Sequence, residues 1–168
     1  MANQTTEDVF SLLDNLLKWT KSQIGKLNVV YQDVDIVEVG EGVIDIYNMV
    51  ASLKKITILE EKGGKMLVNG DIDMLKTIIR NLLSNAIKFS KEDSEVLVKM
   101  EEVDDMAVIS VRDYGCGISE DGQTKLLHTD THFSTFGTNN EEGSGLGLLL
   151  CQDFIQKNGG KLWFTSKE

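Results

Sequence analysis

Three separated stretches carry residue types suited to holding a polyanion and its counter-ion. In the first, Asn81, Asn85 and Lys88 recur at i, i+4 and i+7. At about 100° per residue they fall within roughly 60° of one another on a helix. A side-chain amide oxygen is a ligand for a hard cation such as Mg²⁺, and a lysine one turn away neutralises phosphate oxygens held by that ion. The same residues also suit a solvated helix face. In the second stretch, Asp113-Tyr114-Gly115-Cys116-Gly117-Ile118, the carboxylate continues an apolar row made by Ile109 and Val111. That row predicts a buried acceptor for a ligand N–H such as the exocyclic amine of a base, with two glycines letting a flat ligand approach the backbone. An ordinary Asp-x-Gly turn is the competing reading. The third, Gly143-Ser144-Gly145-Leu146-Gly147-Leu148, opens a helix whose free N–H groups and positive dipole end favour phosphate. A dinucleotide fingerprint would need glycine at Leu148 and a strand directly before the run, where residues 138–142 read as loop. The Gly-x-x-x-x-Gly-Lys-Ser/Thr phosphate loop is absent.

The elements that must position these stretches are legible from periodicity. A helix over Asp71 to Phe89 places Leu75, Ile78, Ile79, Leu82, Leu83, Ala86 and Ile87 on its apolar side. Strands are expected over Glu95–Glu102 and Met106–Asp113, joined by an acidic turn. The stretch Tyr114–Glu142 reads as loop, Leu146–Asn158 as a helix ended by Gly159-Gly160, and Lys161–Ser166 as a last strand. Upstream, a helix is expected from about Thr5, with apolar stripes too broad for one partner. A helical bundle between chains or a helix lying on its own domain would each cover such a face. A short strand before Asp35, a helix through Val39, Val43, Ile46, Tyr47 and Val50, and a strand from Ile56 that turns at 61–64 and returns over 65–69 complete the pattern. Together they predict an α+β fold, a two-layer α/β sandwich with about three helices on a mixed or largely antiparallel sheet, preceded by a helix.

At 168 residues and 41% hydrophobic content the chain can bury one core. Its formal charge of −10 repels a phosphate backbone, which argues against nucleic-acid partners. No apolar run approaches the about 18 residues that span a membrane, so this stretch of chain is expected to make no membrane contact. Two cysteines, Cys116 and Cys151, form no disulfide framework or metal pattern, consistent with a cytoplasmic location.

Taken together, the three stretches resemble the catalytic core of bacterial sensor histidine kinases. Asn81-Leu82-Leu83-Ser84-Asn85-Ala86-Ile87-Lys88-Phe89-Ser90 resembles the asparagine box of that family, Asp113–Ile118 its first glycine box and Gly143–Leu148 its second, and Gly159-Gly160-Lys161-Leu162-Trp163 is typical of its tail. The resemblance implies the Bergerat (GHKL) fold over residues 28–168, with ATP and Mg²⁺ as ligands. It places Asn85 on Mg²⁺, Lys88 on phosphate, Phe89 and Ile118 at the nucleotide, Asp113 on the adenine amine, and Gly115 and Gly117 beside the base. Gly143, Ser144, Gly145, Leu146, Gly147 and Leu148 would cradle the triphosphate, and roughly Ser119–Glu142 would form a lid.

In related ATP hydrolases a water-activating Glu stands where this chain has Asn81, and an amide is no base. Asn81 and Lys88 therefore stand as the catalytic pair for transfer to a protein acceptor, and hydrolysis is disfavoured. Leu12–Trp19 resembles the second helix of the family's dimerisation hairpin, so residues 1–27 would be part of the dimerisation and phosphotransfer element. The resemblance further implies a homodimer, a phosphoacceptor histidine on a helix outside residues 1–168, a final strand also outside them, and a response regulator receiver domain as partner. The two histidines, His128 and His132, fall in the expected lid and are not acceptors. His128 stands near a place where relatives carry a basic phosphate contact, with a solvent-exposed loop histidine as the competing reading. A nucleotide-binding regulatory module that transfers nothing is the rival function.

Overall fold

A computed structural model of the chain describes residues 2–126 and 145–168. The chain runs α1 (Ala2–Gln23), β1 (Gln32–Asp35), α2 (Ile36–Leu53), β2 (Thr57–Lys62), β3 (Leu67–Gly70), α3 (Ile72–Phe89), β4 (Glu95–Val103), β5 (Met106–Asp113), α4 (Glu120–Lys125) and α5 (Leu146–Lys157). Strands β2, β4 and β5 form a mixed sheet in that order, β2 parallel and β5 antiparallel to the central β4, and β1 pairs antiparallel with β3.

Local chemistry sets the helix starts. Asp35 caps α2, its Oδ1 accepting from Val37 N at 3.1 Å and from Met66 N at 3.2 Å, so one carboxylate fixes both the helix and the approach to β3. Asp71 caps α3 by accepting from Asp73 N and Met74 N, each at 3.0 Å. Its other oxygen accepts from Val30 N at 2.9 Å, and its own N–H donates to Asn158 Oδ1 at 2.7 Å. This buried residue thus ties the first linker, α3 and the end of α5 together.

The core lies between the helices and one face of the sheet. Val96, Val98 and Met100 alternate inward along β4 and meet Ile44 of α2, Ile79 and Leu83 of α3, and Leu150, Cys151 and Phe154 of α5. Gly40 sits inside α2 because a Cβ there would stand 2.5 Å from the Met100 sulfur. The close helix-on-sheet contact offsets the roughly 1 kcal/mol that glycine costs in a helix. In the β4–β5 turn, Asp104 and Asp105 take φ of 50° and 60°, the left-handed pair that a two-residue hairpin requires.

Several elements differ from expectation. The first helix begins at Ala2, so Thr5 lies inside it. Among its described side chains it rests on its own domain along one side. Asn15 and Ser22 are buried, Arg80 of α3 donates to Asn15 and pairs with Asp14 at 3.5 Å, and Ser22 bonds Asp153 of α5. Phe10, Leu13 and Leu17 remain exposed. The strands after α2 do not fold back on each other as a hairpin. β2 leaves β3 for β4, because Ile58 then joins Val96 on the buried face beneath α2. Residues 161–166 form no strand. Their exposure alternates with period two and Leu162 packs on the core, but no backbone ladder to β5 forms, and Ser166 reaches the domain through its hydroxyl, which accepts from Ile118 N, and its carbonyl, which accepts from Gln123 Nε2. Part of the expected loop is a short helix, α4, capped by Ser119 Oγ accepting from Gly122 N at 3.2 Å.

Candidate functional site

The C-terminal half of α3 is the common wall on which the other two stretches converge. Toward α5, a Cβ on Gly147 would lie 3.4 Å from Asn81 Oδ1, so the first turn of α5 sits directly on the Asn81 amide. Toward β5, the place a Gly115 Cβ would take is held by the carbonyl oxygen of Phe89, and only glycine lets the loop after β5 close on the end of α3. The Gly115 side admits no Cβ without movement, because the obstructing atom is backbone, whereas a Cβ on Gly147 would make only ordinary contact with Asn81.

Asn81 is 7% exposed, and its Nδ2 is inaccessible and without a hydrogen-bond partner among the described residues. Its amide stands against Cys151, close enough to oppose the rise in that thiol's pKa but not in bonding geometry. Burial pushes the Cys151 thiol up from 9.0 to about 12, and its S–H bonds Ile78 O at 3.7 Å. An orphaned buried donor costs about 1–3 kcal/mol, a cost borne where α3 meets the first turn of α5. The sequence placed Asn81 on one polar line with Asn85 and Lys88, and α5 covers it alone of the three. Asn85 and Lys88, further along the helix, are half-buried and reach solvent as expected, and the Lys88 ammonium lies 5.0 Å from the Phe89 ring centroid.

Asp113 ends β5 exposed, not buried as its apolar row suggested. The row ends with the strand, and the carboxylate turns to accept from Gly115 N at 2.9 Å, with Arg112 stacked 4.9 Å from the Tyr114 ring beside it. Gly117 adopts φ 70°, and the Lys167 carbonyl fills the space a side chain would need. Ile118 N donates to Ser166 Oγ at 2.9 Å, and Gln123 Nε2 to Ile118 O at 2.6 Å. Residues 166–167 therefore brace the glycine loop from outside, a role that no motif in the tail announces.

At the N-terminus of α5, Gly145 takes φ 67° and Leu146 is buried, while Gly147 and Leu148 are half-buried. The left-handed cap residue has no side chain to cap the helix, and the Gly147 and Leu148 amides stand at the positive end of its dipole, in the manner of an anion site. Gly143, Ser144, His128, His132 and most of the expected lid lie outside the described residues. Among the described residues no cluster of three or more His, Cys, Asp or Glu could hold a metal. A cation here would rest on ligand phosphates and water with Asn85 as its protein oxygen, a donor set that suits Mg²⁺. No helix among the described residues is long and apolar enough to cross a membrane.

Lys54, which follows α2, is 8% exposed and donates to Ile87 O at 3.1 Å and Lys88 O at 2.8 Å, at the end of α3. Sequence patterning missed it, since a lysine after a helix ordinarily points to solvent.

Comparisons with known proteins bear on the family and the fold. Residues 70–168, more than half the chain, match the family model for histidine kinase-, DNA gyrase B- and HSP90-like ATPases. The chain is 28% identical over 157 residues to the adaptive-response sensory kinase SasA of Rippkaea orientalis, covering 92% of this chain and 40% of that protein. It is 32% identical over 170 residues to the sensor protein KdpD of Clostridium acetobutylicum, covering 98% of this chain and 18% of that one. The chain thus spans two fifths or less of the length of these relatives. Among solved structures, the catalytic domain of histidine kinase ThkA in a nucleotide-free form is similar with a TM-score of 0.69 and 25% identity, over 80% of this chain and 86% of that one.

Proposed function

Because the chain belongs to the family of histidine kinase-, DNA gyrase B- and HSP90-like ATPases, with the α+β Bergerat fold of histidine kinase catalytic domains, we propose that it is the ATP-binding core of a sensor histidine kinase. In this reading it passes the γ-phosphoryl of Mg²⁺-ATP to a histidine on a dimerisation helix, and a response regulator receives it next. The observation that carries the reading is the double contact of α3, with Gly147 on Asn81 and Gly115 on the Phe89 carbonyl, which gathers three stretches distant in sequence into one wall.

Each group has a role that its surroundings support. Asp113 accepts the adenine amine, an exposed carboxylate at the mouth of the loop, and Gly115, Gly117, Phe89 and Ile118 line the base. The glycine run from Gly143, Ser144 and Gly145 to Leu146, Gly147 and Leu148 offers backbone amides to the phosphates. Asn85 donates an amide oxygen to the cation, which when bound draws charge from the transferring group. Lys88 neutralises phosphate oxygens, and Asn81, buried against Gly147, positions the first turn of α5 that meets them. The Asn81 amide stands where a base would be needed and cannot act as one, so positioning for in-line transfer is favoured over hydrolysis. On this reading residues 28–168 bind nucleotide and residues 1–27 belong to a homodimerisation element, in a cytoplasmic protein without nucleic-acid partners.

The test is a calorimetric titration of the chain with Mg²⁺-ATP, followed by incubation with γ-labelled ATP and a separately supplied hairpin bearing an acceptor histidine. Binding and label on the histidine are expected. Binding without label would mark a regulatory nucleotide module, steady phosphate release a hydrolase, and no binding would end the reading.

A further inference from the structure

A helix ends with four carbonyls that lack intrahelical partners. Ala86 O accepts from Ser90 N at 3.1 Å, and Phe89 O faces Gly115. The two between, Ile87 O and Lys88 O, both accept from Lys54 Nζ, at 3.1 and 2.8 Å. A lysine only 8% exposed is uncommon, and this one brings a positive charge to the negative end of a helix dipole from another element, just past α2. The turn it grips carries Asn85, Lys88 and Phe89.

Resting on the nucleotide-site reading above, we propose that Lys54 is a positioning residue for that site. Its ammonium ties the last turn of α3 to the end of α2, so that Asn85 and Lys88 stand in register with each other and with the first turn of α5. Without it, Ile87 O and Lys88 O lose their donor inside the domain, the last turn frays or rotates, and the groups meant for cation and phosphate move apart. Asp113 sits on β5 and keeps its place, so at the base end only Phe89 and the Gly115 loop against its carbonyl are disturbed, and the base is affected less than the phosphates and cation. The charge acts through two backbone carbonyls, which distinguishes Lys54 from a residue that fills space.

The experiment uses the whole chain with Lys54→Met and Lys54→Arg, at a temperature well below the melting midpoint of each variant. Affinities for Mg²⁺-ATP and for adenosine are measured by calorimetry, and amide hydrogen exchange is read at Ser90, whose N–H closes the last turn. Lys54→Met is expected to weaken Mg²⁺-ATP by about tenfold or more while adenosine changes by less than about threefold, a gap that uniform destabilisation does not produce. Exchange at Ser90 should quicken, and Lys54→Arg should restore most of both. Equal weakening of the two ligands, or no weakening of either, overturns the proposal. Should the parent chain bind no nucleotide, the site reading fails, and Ser90 exchange still decides the role of Lys54: unchanged exchange in Lys54→Met overturns it, quickened exchange upholds the grip on α3. Should Lys54→Met fail to fold, Lys54→Gln takes its place, keeping the stem and one N–H donor without the charge.

Discussion

Replacing Asn81 with alanine should make the ligand-free chain more stable and its complex less so. The amide nitrogen is buried on α3 with no partner among the described residues, and removing such an orphan returns about 1–3 kcal/mol. Alanine adds about 0.6 kcal/mol of helix propensity over asparagine. Against these stands the space left by the amide, on the order of 30 Å³ between Gly147 and Cys151, which costs under about 1 kcal/mol. The net is a gain of about 1 kcal/mol or more, which in a domain of this size raises Tm by at least about 2–4 °C. Mg²⁺-ATP behaves oppositely. At one hundred times its Kd a ligand stabilises the folded chain by about 2.7 kcal/mol, a shift of about 5–11 °C in Tm. If Asn81 positions the turn of α5 that meets the phosphates, most of that shift disappears in Asn81→Ala at the same ligand concentration. Differential scanning calorimetry of parent and variant, each with and without Mg²⁺-ATP, reads all four midpoints. A ligand-free variant that melts more than about 2 °C below the parent would show the amide to be satisfied in the folded chain, and an undiminished ligand shift would remove Asn81 from the site.

Cys116 is exposed and Cys151 fully buried, so a thiol reagent should label Cys116 in the native chain and reach Cys151 only in denaturant, as mass spectrometry would read. The Cys151 thiol ionises near 9.0 when unfolded and about 12 when folded. The unfolded chain therefore sheds this proton first, and the stability it contributes is full below pH 9 and falls between pH 9 and 12 by up to about 1.4 kcal/mol per unit. Urea midpoints measured from pH 8 to 11 should decline less steeply in Cys151→Val, and identical slopes would refute the burial argument. Asp105 holds φ 60° in the β4–β5 turn, so Asp105→Gly should stabilise by about 0.5 kcal/mol, seen as a higher urea midpoint, by relieving left-handed strain and like charge beside Asp104. Asp71→Ala removes the cap of α3 and leaves Val30 N without its carboxylate, and should cost about 2 kcal/mol or more in chemical denaturation.

What the sequence determined by itself was whatever depends on neighbours a few residues away. The apolar period of α3, its Asp71 cap, the alternation of β4 and β5 and the left-handed Gly145 at the start of α5 are local in origin, and the helices and strands they specify formed within a few residues of expectation. The motif spacing likewise singled out the three stretches that α3 brings together. Tertiary structure alone decided what covers each face. A helical period says that Asn81, Asn85 and Lys88 share a line, but not that α5 lies over Asn81 and leaves the other two half-open. Two-residue alternation is the same for every pairing partner, so the departure of β2 from β3 to run parallel with β4 was settled by which arrangement puts Ile58 and Val96 together under α2. The tail 161–166 carries strand alternation yet closes no ladder, and Asp113 ends its apolar row in the open, because a pattern specifies a face and not the partner that buries it. Lys54 is the extreme case: an unremarked lysine in the sequence, it supplies two hydrogen bonds to the end of another helix only because folding brings its charge to carbonyls more than thirty residues away.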